Sequence, residues 1–334
     1  MSETKKINII QAVNEALAEA MAADPKVLVL GEDVADREGG GVVGVTRGLS
    51  TRFGDDRVKS TPIAEQAIMG AAIGAAIMGY KPVAEIMLMN FTTVAMDMIV
   101  NHAAKLRFMS GGQTNVPIVI RMMTGAGISS AGQHSDFLEA WFAHTPGIKV
   151  VAPSNPEDAK GLMLSAIADP DPVMFIECSR AYGTTAEVPV DLKPIPLSKA
   201  RVTQEGRDVT IISYSEIFVR ATAAARELEK DGVSVELIDL RTINPWDKET
   251  VLASARKTGR VVVAHEAVKA FGVGAEIAAT IQEEAFDALK APVKRCGAPF
   301  TSVPFSQALE QAFIVSVADI VAAARATLGA RIPA

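Results

Sequence analysis

Short apolar runs alternate with longer stretches of helical period along most of this chain. Residues 7–23, "INIIQAVNEALAEAMAA", repeat apolar side chains at helical spacing among good helix formers and predict a helix. "KVLVLGEDVA" (26–35) is an apolar run closed by Gly and acids, the pattern of a buried parallel strand with a functional loop after it. A Gly-rich loop, "EGGGVVGVTRG", follows. The pattern then predicts a helix over 66–79, a strand over 81–88, a helix over 94–109 and a strand over 116–123. After a small-residue loop, "TGAGISSAGQHSDF", come a strand over 148–154, a helix opened by an Asn cap and a first-turn Pro in "NPEDAKG", and a strand over 172–177. Such alternation implies a mostly parallel sheet with helices on both faces.

The stretch 179–208 loses this periodicity and carries Pro189, Pro194 and Pro196, so it reads as a linker and entry loop. The strand–helix pattern then restarts, with two helices closed by Gly232 and Gly259, where the left-handed conformation favours Gly. The fold class expected is α/β with two doubly wound domains, at 1–190 and 200–330, and 334 residues suit that number.

A net charge of −6 with no basic block argues against nucleic acid or an anionic membrane as partner. Cys178 and Cys296 stand too far apart for zinc spacing and make no disulfide framework, which suits a reducing compartment. The N-terminus lacks the apolar core of a secretory signal. The apolar run from Ala67 is Gly-interrupted and shorter than the ~20 residues a membrane span needs, so a buried helix in a cytoplasmic protein is expected.

Glu65 lies at the mouth of an Ala/Gly helix, where a carboxylate suits the positive helix end. It reads either as an ordinary first-turn acid or as a buried acid bonded to a ligand nitrogen. Gly70, Ala71, Ala72, Gly74 and Ala75 beyond it would let another helix or subunit come close. Of the four histidines, His134 lies in a loop after a strand, where catalytic groups concentrate in α/β folds. His144, His102 and His265 read as structural, the last less clearly because strand ends can face a site. Asp97 and Asn101, one helical turn apart, suit a solvated or packing pair as well as a metal. The dense methionines read as core filler or a ligand-facing wall. "GVGAEI" (272–277) is a poor dinucleotide fingerprint, which argues against a stand-alone nicotinamide dehydrogenase, and there is no P-loop, nucleophile elbow or zinc-helix motif.

Taken in order, "LGEDVA", "GVTRGLSTRFG", "RVKSTPIAEQ", "GAAIGAAIMGYKPVAE", "NHAAKLRFMSGGQ", "GQHS", "PGIKVVAPSNPEDAKGL", "VELIDLRTINPWD" and "GVGAEIAA" resemble one family over nearly the whole chain. It is the beta subunit of the thiamine-diphosphate-dependent dehydrogenase component of 2-oxo acid dehydrogenase complexes, which includes pyruvate, branched-chain 2-oxo acid and acetoin dehydrogenases. The resemblance implies a transketolase-like pyrimidine-binding domain followed by a transketolase C-terminal-like domain. It implies that Glu65 hydrogen-bonds the cofactor's aminopyrimidine, that Phe91 stacks on that ring and that Met87 lines the same wall. His134 matches a histidine beside the substrate and the incoming lipoyl group, suited to proton transfer. Asp136 departs from the uncharged residue usual at its place. A structural potassium ion is implied at Ile118, Ala166, Ile167, Asp169 and Asp171, mostly through carbonyls. Nothing resembles the "GDG…N" stretch that holds magnesium and diphosphate; in two-gene members it lies on a separate alpha subunit. The implied assembly is an alpha2beta2 heterotetramer that docks a dihydrolipoyl acyltransferase core with its lipoyl domain. The implied reaction is oxidative decarboxylation of a 2-oxo acid with acyl transfer to lipoyl-lysine, the alternatives being cleavage of acetoin or a non-catalytic scaffold.

Overall fold

The computed structural model describes residues 3–329. Its contacts divide the chain into two compact units, one ending its first segment at Thr124 and resuming over Trp141–Leu197, the other formed by Gly125–Ala140 and the chain from Ser198 onward.

In the first unit β1 (Thr4–Asn8), β2 (Val27–Glu32), β3 (Val58–Thr61), β4 (Lys81–Leu88), β5 (Val119–Thr124), β6 (Lys149–Val151), β7 (Val173–Cys178) and β8 (Thr185–Pro189) are the strands. Six of them form a parallel sheet in the order β6-β7-β5-β4-β2-β3. Every residue of β7 and nearly all of β4 are buried, as expected of parallel strands covered on both faces. β1 and β8 pair separately as an antiparallel ribbon.

That ribbon corrects two expectations. Ile7 and Asn8 belong to β1, and the helix begins at Ile9. Asn8 ends the strand and caps the helix: its side chain accepts from Gln11 N at 2.9 Å, and the Gln11 side chain accepts from Asn8 N at 2.9 Å. The stretch read as linker also contains β8, whose short alternating pattern is masked by Pro189.

The helix expected over 94–109 is present in irregular form, as a π-helical segment (Met98–Ala103) and a short helix (Leu106–Met109), and a tight 3-10 turn (Met89–Thr93) precedes it. Thr92 and Thr93 hydroxyls donate back to the carbonyls of Met89 (2.6 Å) and Asn90 (2.8 Å), competing with a regular helical ladder.

The second unit carries β9 (Arg201–Gln204), β10 (Val209–Ser213), β11 (Val235–Asp239), β12 (Thr242–Asn244), β13 (Val261–Val268) and β14 (Lys294–Ala298). Five form a sheet in the order β14-β13-β10-β11-β9, parallel except for β9 at one edge. The helices Ser215–Lys230 and Val317–Leu328 bury their apolar faces in one core with β10, β11 and β13. Gly232 and Gly259 adopt positive φ beyond their helices, as their stop signals require. The stretch 307–328 is long and apolar enough to cross a membrane by composition alone. It is two helices, broken where Ser316 caps the second, and it contains a fully buried Glu310.

The glycines of "GVGAEI" have a packing role. A Cβ on Gly272 would lie 2.7 Å from His265 Cε1, and one on Gly274 would lie 2.8 Å from His265 Nε2. They admit the imidazole, which is fully buried with Nδ1 at 3.1 Å from the Ala267 carbonyl. Beside it the Tyr214 ring stacks at 6.4 Å and donates its hydroxyl to Glu139 Oε1 at 2.7 Å. Burial pushes the Glu139 carboxyl up to about 8 and the His265 imidazole down to about 4.

These shifts make a pH prediction. Raised from its ordinary 4.5, Glu139 holds an extra proton in the folded state, so its contribution to stability falls as pH rises toward 8. Lowered from its ordinary 6.5, His265 acts oppositely, but only between about 4 and 6.5. Between 6.5 and 8 the Glu139 contribution stands alone of the two. Melting temperature should therefore fall over that interval, and Glu139→Gln should flatten the fall in a calorimetric pH series.

Candidate active site

In an open parallel sheet, ligands bind beyond the carboxyl ends of the strands, where neighbouring connections leave in opposite directions. In the first unit that point lies at β2 and β4: the chain leaves β2 for β3 on one side, and leaves β4 for β5 on the other.

The residues there are acidic. Glu32 ends β2 and is 6% exposed, and its Oε1 has no hydrogen-bond partner among the described residues. Glu65 opens the helix Glu65–Ile77 after β3 and is 7% exposed. Ala64, at the N-cap, offers no side-chain acceptor, so Glu65 is the only acid facing the positive helix end in its first turn. Burial pushes the Glu32 carboxyl up, and the neighbouring charges of Glu65, Asp33 and Glu85 push it the same way.

One buried cation stands against these acids. Arg121, on β5, is 3% exposed. It pairs with Glu85 of β4 and, through Nε at 2.5 Å and Nη2 at 3.0 Å, with Glu177 of β7. Tyr182 also donates to Glu177, at 2.8 Å. The carboxylates hold the guanidinium charged against its burial. Arg121 is thus spent inside the sheet, and the acid excess at Glu32 and Glu65 is left for something else to balance.

Met87 is half-buried near the end of β4 and lines a small concavity with Glu85, Arg121, Met123 and Val43. Phe91 is half-buried in the 3-10 turn that follows β4. Glu65, Met87 and Phe91 therefore all sit where the strands β3 and β4 hand over to the next element. His134 belongs to the second unit, half-buried in the short helix Gly132–Ser135. Asp136 follows it in extended backbone.

Among the potassium positions, Ile118 and Ala166 carbonyls already accept from Val173 N at 2.9 Å and Asp169 N at 3.3 Å. Lys149 Nζ donates to Asp169 (2.7 Å) and Asp171 (2.9 Å), and Arg107 pairs with Asp171 at 2.5 Å. Both carboxylates are thereby neutralised by the chain's own cations. Among the described residues no cluster of three or more His, Cys, Asp or Glu could hold a metal. Asp97 and Asn101 bond each other at 2.8 Å on an exposed surface, and His102 lies 3.7 Å from Asp97.

Sequence reasoning missed Glu32, Glu85, Arg121 and Glu177. The signal was present: charged residues inside runs such as "KPVAEIML" and "PVMFIE", which otherwise read as strands buried on both faces.

Residues 5–184 match the model of the transketolase pyrimidine binding domain, and residues 198–320 that of the transketolase C-terminal domain. The chain is 46% identical over 332 residues to the beta subunit of the acetoin:2,6-dichlorophenolindophenol oxidoreductase of Cupriavidus necator, covering 97% of this chain and 98% of the relative. It is 45% identical to the beta subunit of the pyruvate dehydrogenase E1 component of Staphylococcus epidermidis, over 97% and 99% of the two chains. A solved structure described as split gene transketolase, an inactive beta4 tetramer, superposes with a TM-score of 0.79 at 25% identity, over 96% of this chain and 98% of that one. The chain thus belongs to the transketolase-like family of thiamine-diphosphate-dependent oxidoreductases, among the beta subunits of pyruvate and acetoin dehydrogenases.

Proposed function

We propose that this chain supplies the pyrimidine half of a thiamine diphosphate site. In the complete site a 2-oxo acid, pyruvate or a branched-chain acid, is oxidatively decarboxylated and its acyl group passes to lipoyl-lysine. The observation that carries the reading is the pair of buried carboxylates, Glu65 and Glu32, at the switch point of the first sheet, with Arg121 already committed to Glu85 and Glu177. Such a surplus of acceptors fits an aminopyrimidine, whose ring nitrogen and amino group can donate.

Glu65 would accept from that ring nitrogen and hold a proton there; Phe91 would offer its ring face, and Met87 would line the wall. When bound, thiamine diphosphate supplies the electron sink for decarboxylation. His134 would move a proton at the substrate or at the lipoyl sulfur. Burial strengthens the Glu65 hydrogen bond because little solvent competes with it.

The diphosphate and magnesium fall to an alpha subunit in an alpha2beta2 heterotetramer, and the acyltransferase core with its lipoyl domain completes the complex. Support comes from the exposed apolar surface of the first unit: Ile63, Met78, Phe108 and Met109 are all at least 74% exposed. Next to them the helix Glu65–Ile77 turns Ala67, Ala71 and Gly74 outward, and a Cβ on Gly74 would meet nothing within 4 Å. The split gene transketolase is, by its own description, inactive as a beta4 tetramer. The potassium positions do not fit a cation through their side chains, because Lys149 and Arg107 hold them, and no step depends on that ion. Cytoplasmic residence accords with the two free cysteines. Acetoin is the second reading for the substrate, favoured by the Cupriavidus necator relative and by the extra negative charge of Asp136 beside His134, which a neutral substrate tolerates better than a carboxylate.

Glu65→Gln, assembled with the alpha subunit, should lose roughly 10²–10⁴-fold in turnover, the range for removing an acid–base group, while size-exclusion chromatography shows an intact heteromer. Unchanged turnover would favour a scaffold role. Phe108→Asp should leave the circular dichroism of the isolated chain unchanged and sharply reduce recovery of the heteromer; full recovery would remove that face from the interface. A substrate panel of pyruvate, branched-chain 2-oxo acids and acetoin with an artificial electron acceptor separates the two substrate readings.

A further inference from the structure

The loop that leads to His134 is unusual in its backbone. Gly125 (φ 111°), Gly127 (φ 110°), Ser129 (φ 56°) and Ala131 (φ 58°) all adopt positive φ within seven residues. For Ser129 and Ala131 this is a sparsely populated region, so the surroundings must enforce it.

Two carboxylates from distant segments of the same unit hold the loop from Ala126 to Ser129. Glu266 Oε1 accepts from Ala126 N at 2.9 Å. Glu310, on the helix Gln307–Phe313, accepts with Oε1 from Gly127 N at 2.6 Å and Ser129 N at 3.2 Å, and with Oε2 from Ser129 N at 3.0 Å. Ala126 is fully buried in an apolar cluster with Ala298, Val303, Phe313 and Ile314, which fixes the base of the loop beside the same helix. Farther on, a Cβ at Gly132 would lie 3.3 Å from Ser302 Cβ, so the loop is seated close to its support.

Glu310 is fully buried, and among the described residues its partners are backbone amides, with no cation paired to it. A buried carboxylate without a counter-ion is costly unless hydrogen bonds replace its hydration. Here the replacement is the backbone N–H groups of one strained loop. In a glutamine one oxygen could still accept from both amides, but an NH2 group would then face the Ser129 N–H donor in place of Oε2, and the negative charge would be lost.

We propose that Glu310, 176 residues from His134 in sequence, is a positioning residue that presets the His134 loop for proton transfer. The inference rests on the reading of His134 given above. Glu310 touches neither substrate nor cofactor in this account; it acts through the backbone of Gly127 and Ser129.

The test is a double-mutant cycle in the reconstituted holoenzyme, reading acyl transfer to a free lipoyl domain. Glu310→Gln should reduce the rate by roughly 10²-fold, the effect expected of a misplaced catalytic group. In a His134→Asn background the same change should add less than about twofold, because the group it positions is gone. An equal loss in both backgrounds would make Glu310 a general structural residue and overturn the proposal. Full activity in Glu310→Gln alongside a crippled His134→Asn would overturn it while leaving the role of His134 intact. An unimpaired His134→Asn would instead sink the reading of His134 and the proposal with it. Hydrogen exchange on the wild-type holoenzyme does not depend on the variant folding: the Gly127 and Ser129 amides should be protected, and exchange at the rate of an open loop would contradict the proposal.

Discussion

An excess of buried negative charge at the carboxyl edge of one parallel sheet is the constraint on which the first unit turns. Glu32, Glu65, Glu85 and Glu177 are all nearly excluded from water, and among the described residues Arg121 is the cation paired with two of them, Glu85 and Glu177. Burying a carboxylate is unfavourable unless hydrogen bonds or an opposite charge compensate it. The Arg121 pairs satisfy Glu85 and Glu177, and Tyr182 adds a further donor to Glu177. Glu32 and Glu65 remain, with Glu32 pushed toward its protonated form by burial and then by its charged neighbours. A sequence that keeps such a pair at a switch point holds an electrostatic deficit that a donor-rich ligand can relieve.

The second unit handles polar burial differently. Glu139 is held near neutrality by burial, and His265 is kept uncharged in a shell of glycines and Tyr214. Glu310 and Glu266 accept from the backbone of the loop that bears His134. Glu310 and Glu266 are bonded to that loop within the chain, so this unit can order it without depending on a ligand to do so.

The strand–helix alternation was legible because parallel strands buried on both faces write continuous apolar runs, and Gly or Asn mark helix ends. The double-wound α/β class, the Asn155 cap and the positive φ of Gly232 and Gly259 were readable in this way. β1, β8 and β9 were not, because short edge strands of mixed polarity carry no run that periodicity can detect. Residues 94–109 read as one regular helix because their apolar spacing is helical, and the π-helical turn at Met98–Ala103 leaves no mark in that spacing. Segment 125–140 lies inside the first domain by sequence yet packs with the second unit, because Ala126 and the Glu266 and Glu310 contacts are long-range. Glu65 and His134 stood out by their places at a helix mouth and in a loop after a strand, Met87 and Phe91 only through family resemblance; the buried Glu32 and Arg121 could have been found from charge in apolar strands alone.

The account comes down to whether the Glu65 carboxylate meets a ring nitrogen. A structure of the chain assembled with its alpha subunit and thiamine diphosphate measures this directly. The account predicts a Glu65 oxygen about 2.7–3.2 Å from the pyrimidine ring nitrogen, with the diphosphate held by the other polypeptide. A Glu65 side chain turned away from the pyrimidine, or a cofactor bound wholly by one chain, would contradict it.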